Sequence, residues 1–313
     1  MAVLMCAVLL AALVGLACTK SSTDKEAQAD ATSRPATATQ PTEESLALNE
    51  YLVQALQIDR DMSRRVSEAI GELPNPQQDP QAFITAVVAL DQSLSASVNA
   101  ALALLERLTP PAEATTYHRD LLAVSESLSQ WLSDLSDALD SRDETTIVAA
   151  FQGIIGILGD LGPIAEEAQQ LTIRALQAKP ASPLRTYLID AATLRASNAN
   201  LLAELSERLQ PLLSTGNTDD VIPLVEDLIE RLTRFQDAWG ALEPPPEAQA
   251  LHERQAEGIS ASIALEEKLL TAFRDQDVEA LLTASQSSIA LSNDAALVSA
   301  GWTDLLIQEL SAP

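Results

Sequence analysis

The hydrophobic positions of this chain follow a helical period over most of its length. Between residues 111 and 141, apolar side chains recur at spacings of three and four, which places them on one face of an α-helix. They are Tyr117, Leu121, Val124, Leu128, Leu132, Leu135 and Leu139. No segment indicates a sheet, and the pattern predicts an all-α protein.

Short polar and proline-containing segments divide the pattern into eight predicted helices of up to about 35 residues. They cover residues 43–72, 79–108, 111–141, 144–178, 184–213, 219–241, 245–275 and 278–312. Prolines are expected in the first turn of the third and seventh helices, and Asp143 and Asp277 are expected N-caps. Four long helices joined by short loops form an up-down bundle, so the fold expected is two tandem four-helix up-down bundles.

An internal repeat supports this division. The stretch "LTPPAEATTYH" at 108–118 returns as "LEPPPEAQALH" at 242–252, an offset of 134 residues. The offset persists to the end of the chain, and in the first helix it becomes 136, where "LNEYL" at 48–52 matches "LRTYL" at 184–188. The repeat predicts one bundle over residues 43–178 and a second over 183–313.

Glycines recur at every third position in the fourth predicted helix. The second copy replaces them with other small residues, so a phosphate-binding loop, which needs glycine itself, is disfavoured. The four positions are Gly153, Gly156, Gly159 and Gly162, matched by Ser287, Ala290, Asn293 and Ala296. The array predicts a close-packing helix face, and its glycines together with Pro163 predict a soft point over residues 153–163.

Composition narrows the possible partners. Hydrophobic residues make up 47% of the chain and aromatic residues 3%, which favours helices packed through small aliphatic side chains. The formal net charge is −26, and a surface this acidic repels the phosphate backbone of nucleic acids. We therefore expect no nucleic-acid partner.

The N-terminus has the organisation of an export signal. Residues 1–17 carry no charged side chain, Cys18 follows, and residues 18–42 read as a flexible tether. This arrangement resembles a bacterial lipoprotein signal, and the resemblance implies that Cys18 is lipidated and holds the protein at a membrane outside the cytoplasm. Two alternatives stay open: secretion after cleavage behind Gly15-Leu16-Ala17, which leaves Cys18 as a free thiol, and a retained N-terminal anchor.

Four polar residues recur in both copies and are the candidate ligand-binding residues: Tyr51 with His118, and Tyr187 with His252. They would form one site per bundle, or alternatively pack as structural groups near helix starts. The spacings of di-metal, haem and zinc sites are absent from the sequence, so no metal or other cofactor is expected. No paired carboxylates indicate catalysis, and an enzyme is not expected.

Both copies open a helix with Pro-Pro-x-Glu and carry a histidine five residues after the glutamate, at 110–118 and 244–252. This motif resembles that of bacterial lipoproteins built of tandem helical repeats, and the resemblance implies an extracytoplasmic helical domain without a known reaction. Together these features predict a non-enzymatic interaction or structural protein of the cell envelope. The alternative hypothesis is an extracytoplasmic module that binds a small ligand or a metal.

Overall fold

The computed structural model describes residues 43–71, 80–141, 144–196, 204, 207, 208 and 221–312. The predicted signal peptide, Cys18, the tether and Asp143 lie outside the described residues, as does most of the predicted helix 184–213 beyond Ala196.

The described part of the chain is almost wholly α-helical and contains no strand, which confirms the all-α prediction. A short 3-10 helix, Ala112–Ala114, precedes the third helix. The α-helices are α1 Glu43–Gly71, α2 Pro80–Leu105, α3 Thr115–Ser141, α4 Glu144–Gln177, α5 Pro183–Ala196, α6 Ile222–Gly240, α7 Gln249–Asp275 and α8 Val278–Ser311. No helix among these residues is long and apolar enough to cross a membrane.

Two helix starts differ from the prediction because of their prolines. The helices α3 and α7 begin about four residues later than expected, after the Pro-Pro segments rather than within them. Pro111 is extended (φ −65°, ψ 162°) and therefore lies before the first helical turn. At the start of α8 the prediction is confirmed, because Asp277 accepts hydrogen bonds of 3.0 Å from the backbone N–H groups of Glu279 and Ala280.

Helices from the two sequence copies pack against each other. Along the chain, α1, α2, α3 and α4 pack in succession, and α6, α7 and α8 do the same. The most extensive helix contact, however, joins α1 of the first copy to α8 of the second, and α4 packs on α5. The first helix of each copy therefore lies against the fourth helix of the other.

Ion pairs and buried side chains from both copies stabilise this packing of each first helix against the fourth helix of the other copy, which we call the exchange of helices. Arg60 and Arg64 on α1 donate to the two carboxylate oxygens of Asp304 on α8, at 3.1 and 2.7 Å. One cluster of buried residues draws on both copies at matched positions: Leu48 with Leu184, Tyr51 with Tyr187, Leu52 with Leu188, Ala55 with Ala191, and Leu176 with the C-terminal Leu310. The boundaries at 43–178 and 183–313 stay a prediction from the repeat, since both buried clusters of the described residues contain side chains from the two copies.

The segment that joins the copies is fastened to the end of α8. Lys179 donates a 2.7 Å hydrogen bond to the carbonyl oxygen of Leu310. Arg185 forms a largely buried 2.8 Å ion pair with Glu309. The turn between α4 and α5 and the C-terminal end of α8 therefore lie at the same end of the molecule.

The glycine array of α4 is not a uniform packing face. A Cβ atom at Gly156 would meet no heavy atom within 4 Å, so close packing is wrong as an account of this position. A Cβ atom at Gly153 would lie 3.3 Å from the Trp131 ring, and Gly162 is buried. Neighbouring side chains therefore approach the α4 backbone closely at some glycines of the array but not at others. The helix α4 continues through Pro163 to Gln177.

Candidate functional sites: two tyrosine–histidine pairs

The repeated tyrosines and histidines come together as two equivalent pairs. The Tyr51 hydroxyl on α1 lies 3.1 Å from Nδ1 of His118 on α3. In the second copy the Tyr187 hydroxyl on α5 lies 2.9 Å from Nδ1 of His252 on α7. Each pair therefore links the first and third helices of its copy with a hydrogen bond, whose donor depends on the histidine tautomer.

The proline segments set the positions of the histidines. In each copy the chain makes one tight turn before the helix, closed by a 2.9 Å bond from Ala114 N–H to Pro111 O and from Ala248 N–H to Pro245 O. Both alanines are fully buried, which anchors the turn in the core. The histidine follows four residues later, within the first turns of its helix, and is directed at the tyrosine.

Burial favours the uncharged form of the residues in both pairs. His118 and His252 are each 8% exposed, and burial lowers the pKa of both imidazoles. Burial, assisted by the charge of Glu167, raises the pKa of Tyr51 to about 12, and burial also raises the pKa of Tyr187. The imidazole and phenol pKa values therefore move away from neutrality in opposite directions, whereas proton transfer at neutral pH is most efficient for groups with a pKa near 7.

The surroundings of the two pairs differ. In the first copy the Tyr117 ring meets Tyr51 edge-on, with ring centroids 6.4 Å apart. In the second copy Trp239 stacks on the His252 imidazole at 5.3 Å, and its indole N–H donates a 3.2 Å bond to the His252 carbonyl oxygen. The second pair is therefore embedded in a larger aromatic cluster.

Three further polar residues of the second copy were not singled out in the sequence. Arg195 lies on the aromatic cluster, Gln255 is buried beside a cavity of about 10 Å³ between α7 and α8, and Glu266 is buried in α7. A cavity of this size holds one water molecule. Comparison of the two copies could have identified these three residues, because the first copy carries different residues at the matched positions. Those residues are Asp59, Leu121 and Leu132.

No group of three or more His, Cys, Asp or Glu side chains within the described ranges is arranged to hold a metal ion. Comparison of the chain with protein-family models, with curated proteins and with solved structures gave no match. The fold and the site geometry are therefore the basis for a functional proposal.

Proposed function

We propose that this protein is an exported, lipid-anchored, non-enzymatic protein of the cell envelope that binds a partner through its acidic helical surface. The proposal rests on the structural role of the two Tyr–His pairs. These recurring polar groups are buried and hydrogen-bonded to each other, so they tie helices together. The proposal therefore assigns partner binding to the acidic surface.

That surface favours a cationic partner. The chain carries 45 acidic and 19 basic residues, and several of the arginines are already engaged in ion pairs with neighbouring carboxylates. A field of this sign raises the encounter rate with a basic protein and repels anionic ones. A tether of residues 18–42 would let the folded part reach such a partner from the membrane.

Capture from envelope extracts tests the partner. The full mature chain carrying Cys18→Ser is immobilised, and we expect it to retain a discrete basic protein at low salt and to release it at about 0.5 M salt, where charges are screened beyond a few ångströms. A deletion strain should show an envelope defect that the wild-type gene complements. Absence of both a retained protein and a defect contradicts the proposal.

The anchor is tested separately. Intact mass measurement of the membrane-fraction protein should reveal an acylated N-terminus at Cys18, and Cys18→Ser should abolish the acylation. A membrane-bound protein that starts at Met1 would point to a retained signal segment, and an unmodified Cys18 in the soluble fraction would point to plain secretion.

A further inference from the structure

The second copy holds a cation against two indole rings. The guanidinium carbon of Arg195 lies 4.6 Å from the centroid of the Trp302 ring and 5.6 Å from that of Trp239. Both distances fall within the range of cation–π attraction, which is strongest for tryptophan. Arg195 comes from α5, Trp239 from α6 and Trp302 from α8, so three helices contribute to the contact.

Tyr187 and His252 complete what we call the aromatic box, formed by Tyr187, Trp239, His252 and Trp302. The two indoles meet edge-on at 5.6 Å, and Tyr187 lies 5.9 Å from Trp302. His252 stacks on Trp239 and shares a hydrogen bond with Tyr187. The hydrogen bond and the stacking therefore hold the box rigidly, which is the requirement for a preorganised site.

The first copy folds without such a box. At the positions that match Trp239, Trp302 and Arg195 it carries Leu105, Ala168 and Asp59. The matched tyrosine and histidine are nevertheless paired in the same way. The Tyr–His tie therefore needs neither the two indoles nor the arginine.

The box also carries an energetic cost. The indole nitrogen of Trp302 is buried and has no hydrogen-bond partner, and Trp302 as a whole is 2% exposed. A buried donor without a partner destabilises the folded state. Leucine or alanine at this position would not have this cost, because neither side chain carries a hydrogen-bond donor. What tryptophan provides at this position, and leucine or alanine would not, is an aromatic face.

We propose that the aromatic box of the second copy is a binding site for organic cations of the guanidinium class, and that Arg195 occupies it until such a ligand displaces it. Arg195 is only partly buried, whereas Trp239 and Trp302 are almost fully covered, so a guanidinium that replaced the Arg195 side chain would take up its position beside the two indoles. The Gln255 side-chain oxygen, 3.5 Å from Nη2 of Arg195, provides an acceptor that a guanidinium can use and a quaternary ammonium cannot. The net charge of −26 concentrates cations near the protein.

Tryptophan fluorescence provides the test, because two of the three tryptophans line the box. The full mature chain with Cys18→Ser and Trp131→Phe is titrated with methylguanidinium chloride, with sodium chloride at equal ionic strength as the reference. We expect a saturable change in this parent protein and about tenfold tighter binding in Arg195→Ala, since the ligand no longer competes with a cation–π contact. Tetramethylammonium should bind more weakly than methylguanidinium.

Three variants make the result decisive. In Arg195→Ala, the further change Trp302→Leu should abolish the response, and Trp302→Phe, which retains a ring, should weaken it if the leucine variant does not fold. Arg119→Ala removes an exposed arginine of the first copy and should behave like the parent. The proposal is overturned if the parent shows no saturable response, even when Arg195→Ala does, because Arg195 is then a permanent part of the core.

Discussion

Glu266 gives the sharpest prediction about stability. This side chain is 3% exposed in α7, and burial alone raises its pKa to about 8. The first copy carries Leu132, 2% exposed, at the matched position, so the packing of this site does not require a carboxyl group. Substitution of Glu266 by glutamine keeps its shape and removes its ionisation, and substitution by leucine reproduces the residue of the first copy.

The pKa difference sets the size and sign of the effect. The folded-state pKa of about 8 exceeds the ordinary value of 4.5, so the folded state holds the proton more tightly than the unfolded state. Stability from this group is fully present below about pH 4.5 and is lost as the pH rises towards about 8. At roughly 1.4 kcal/mol per pH unit the loss has an upper value of about 5 kcal/mol. Relaxation and water entry around the charged carboxylate reduce it, so we expect about 2–5 kcal/mol.

Urea unfolding of a chain of residues 18–313 with Cys18→Ser measures this. The free energy of unfolding is compared with that of Glu266→Gln between about pH 5 and about pH 9, and we expect the wild type to lose stability relative to the variant across this range. Glu266→Leu should match the pH dependence of Glu266→Gln, which separates ionisation from packing. Parallel pH profiles for wild type and Glu266→Gln would refute the reasoning.

Four further predictions use the same assay. Gly156→Ala should raise the free energy of unfolding by about 0.5–1 kcal/mol, since nothing lies within 4 Å of the new Cβ. Gly301→Ala should lower it by about 1 kcal/mol because the new Cβ would lie 2.5 Å from Leu251 Cδ2, and an increase would contradict the packing described. Tyr187→Phe should cost about 1–2 kcal/mol, since it leaves a buried histidine nitrogen without its partner. Asp277→Ala should cost about 1 kcal/mol through loss of the N-cap, whereas an unchanged value would mean that the two backbone N–H groups are satisfied by water.

The helices themselves were predictable from the sequence. Hydrophobic spacing and polar breaks placed the start of α4 at residue 144 and of α8 at 278, as observed. These starts follow local rules of capping and periodicity, which the chain encodes residue by residue. The late starts of α3 and α7 were not predicted. Two adjacent prolines precede α3 and three precede α7, and a residue followed by a proline is disfavoured in the helical region.

The exchange of helices between copies could not be predicted in the same way. An apolar stripe on α1 does not by itself specify the fourth helix on which it packs, because both fourth helices carry buried apolar residues, such as Leu176 and Leu310. The choice depends on long-range packing and on ion pairs such as Arg60 with Asp304, whose partners lie far apart in sequence. The Tyr–His pairs were identified as candidates because they recur, whereas Arg195 was missed because only its difference from Asp59 marks it.

Because of the exchange of helices, two equivalent helix pairs differ in whether the chain connects them directly. The pair formed by α8 and α1 is the counterpart of the pair formed by α4 and α5, but only the second is joined by a turn. A permuted gene that joined residue 312 to residue 43 and opened the chain at residue 180 would preserve every helix contact while exchanging which pair is connected. By the same geometry, unfolding of either copy would remove a helix that packs on the other, so we expect the two copies to unfold in a single transition.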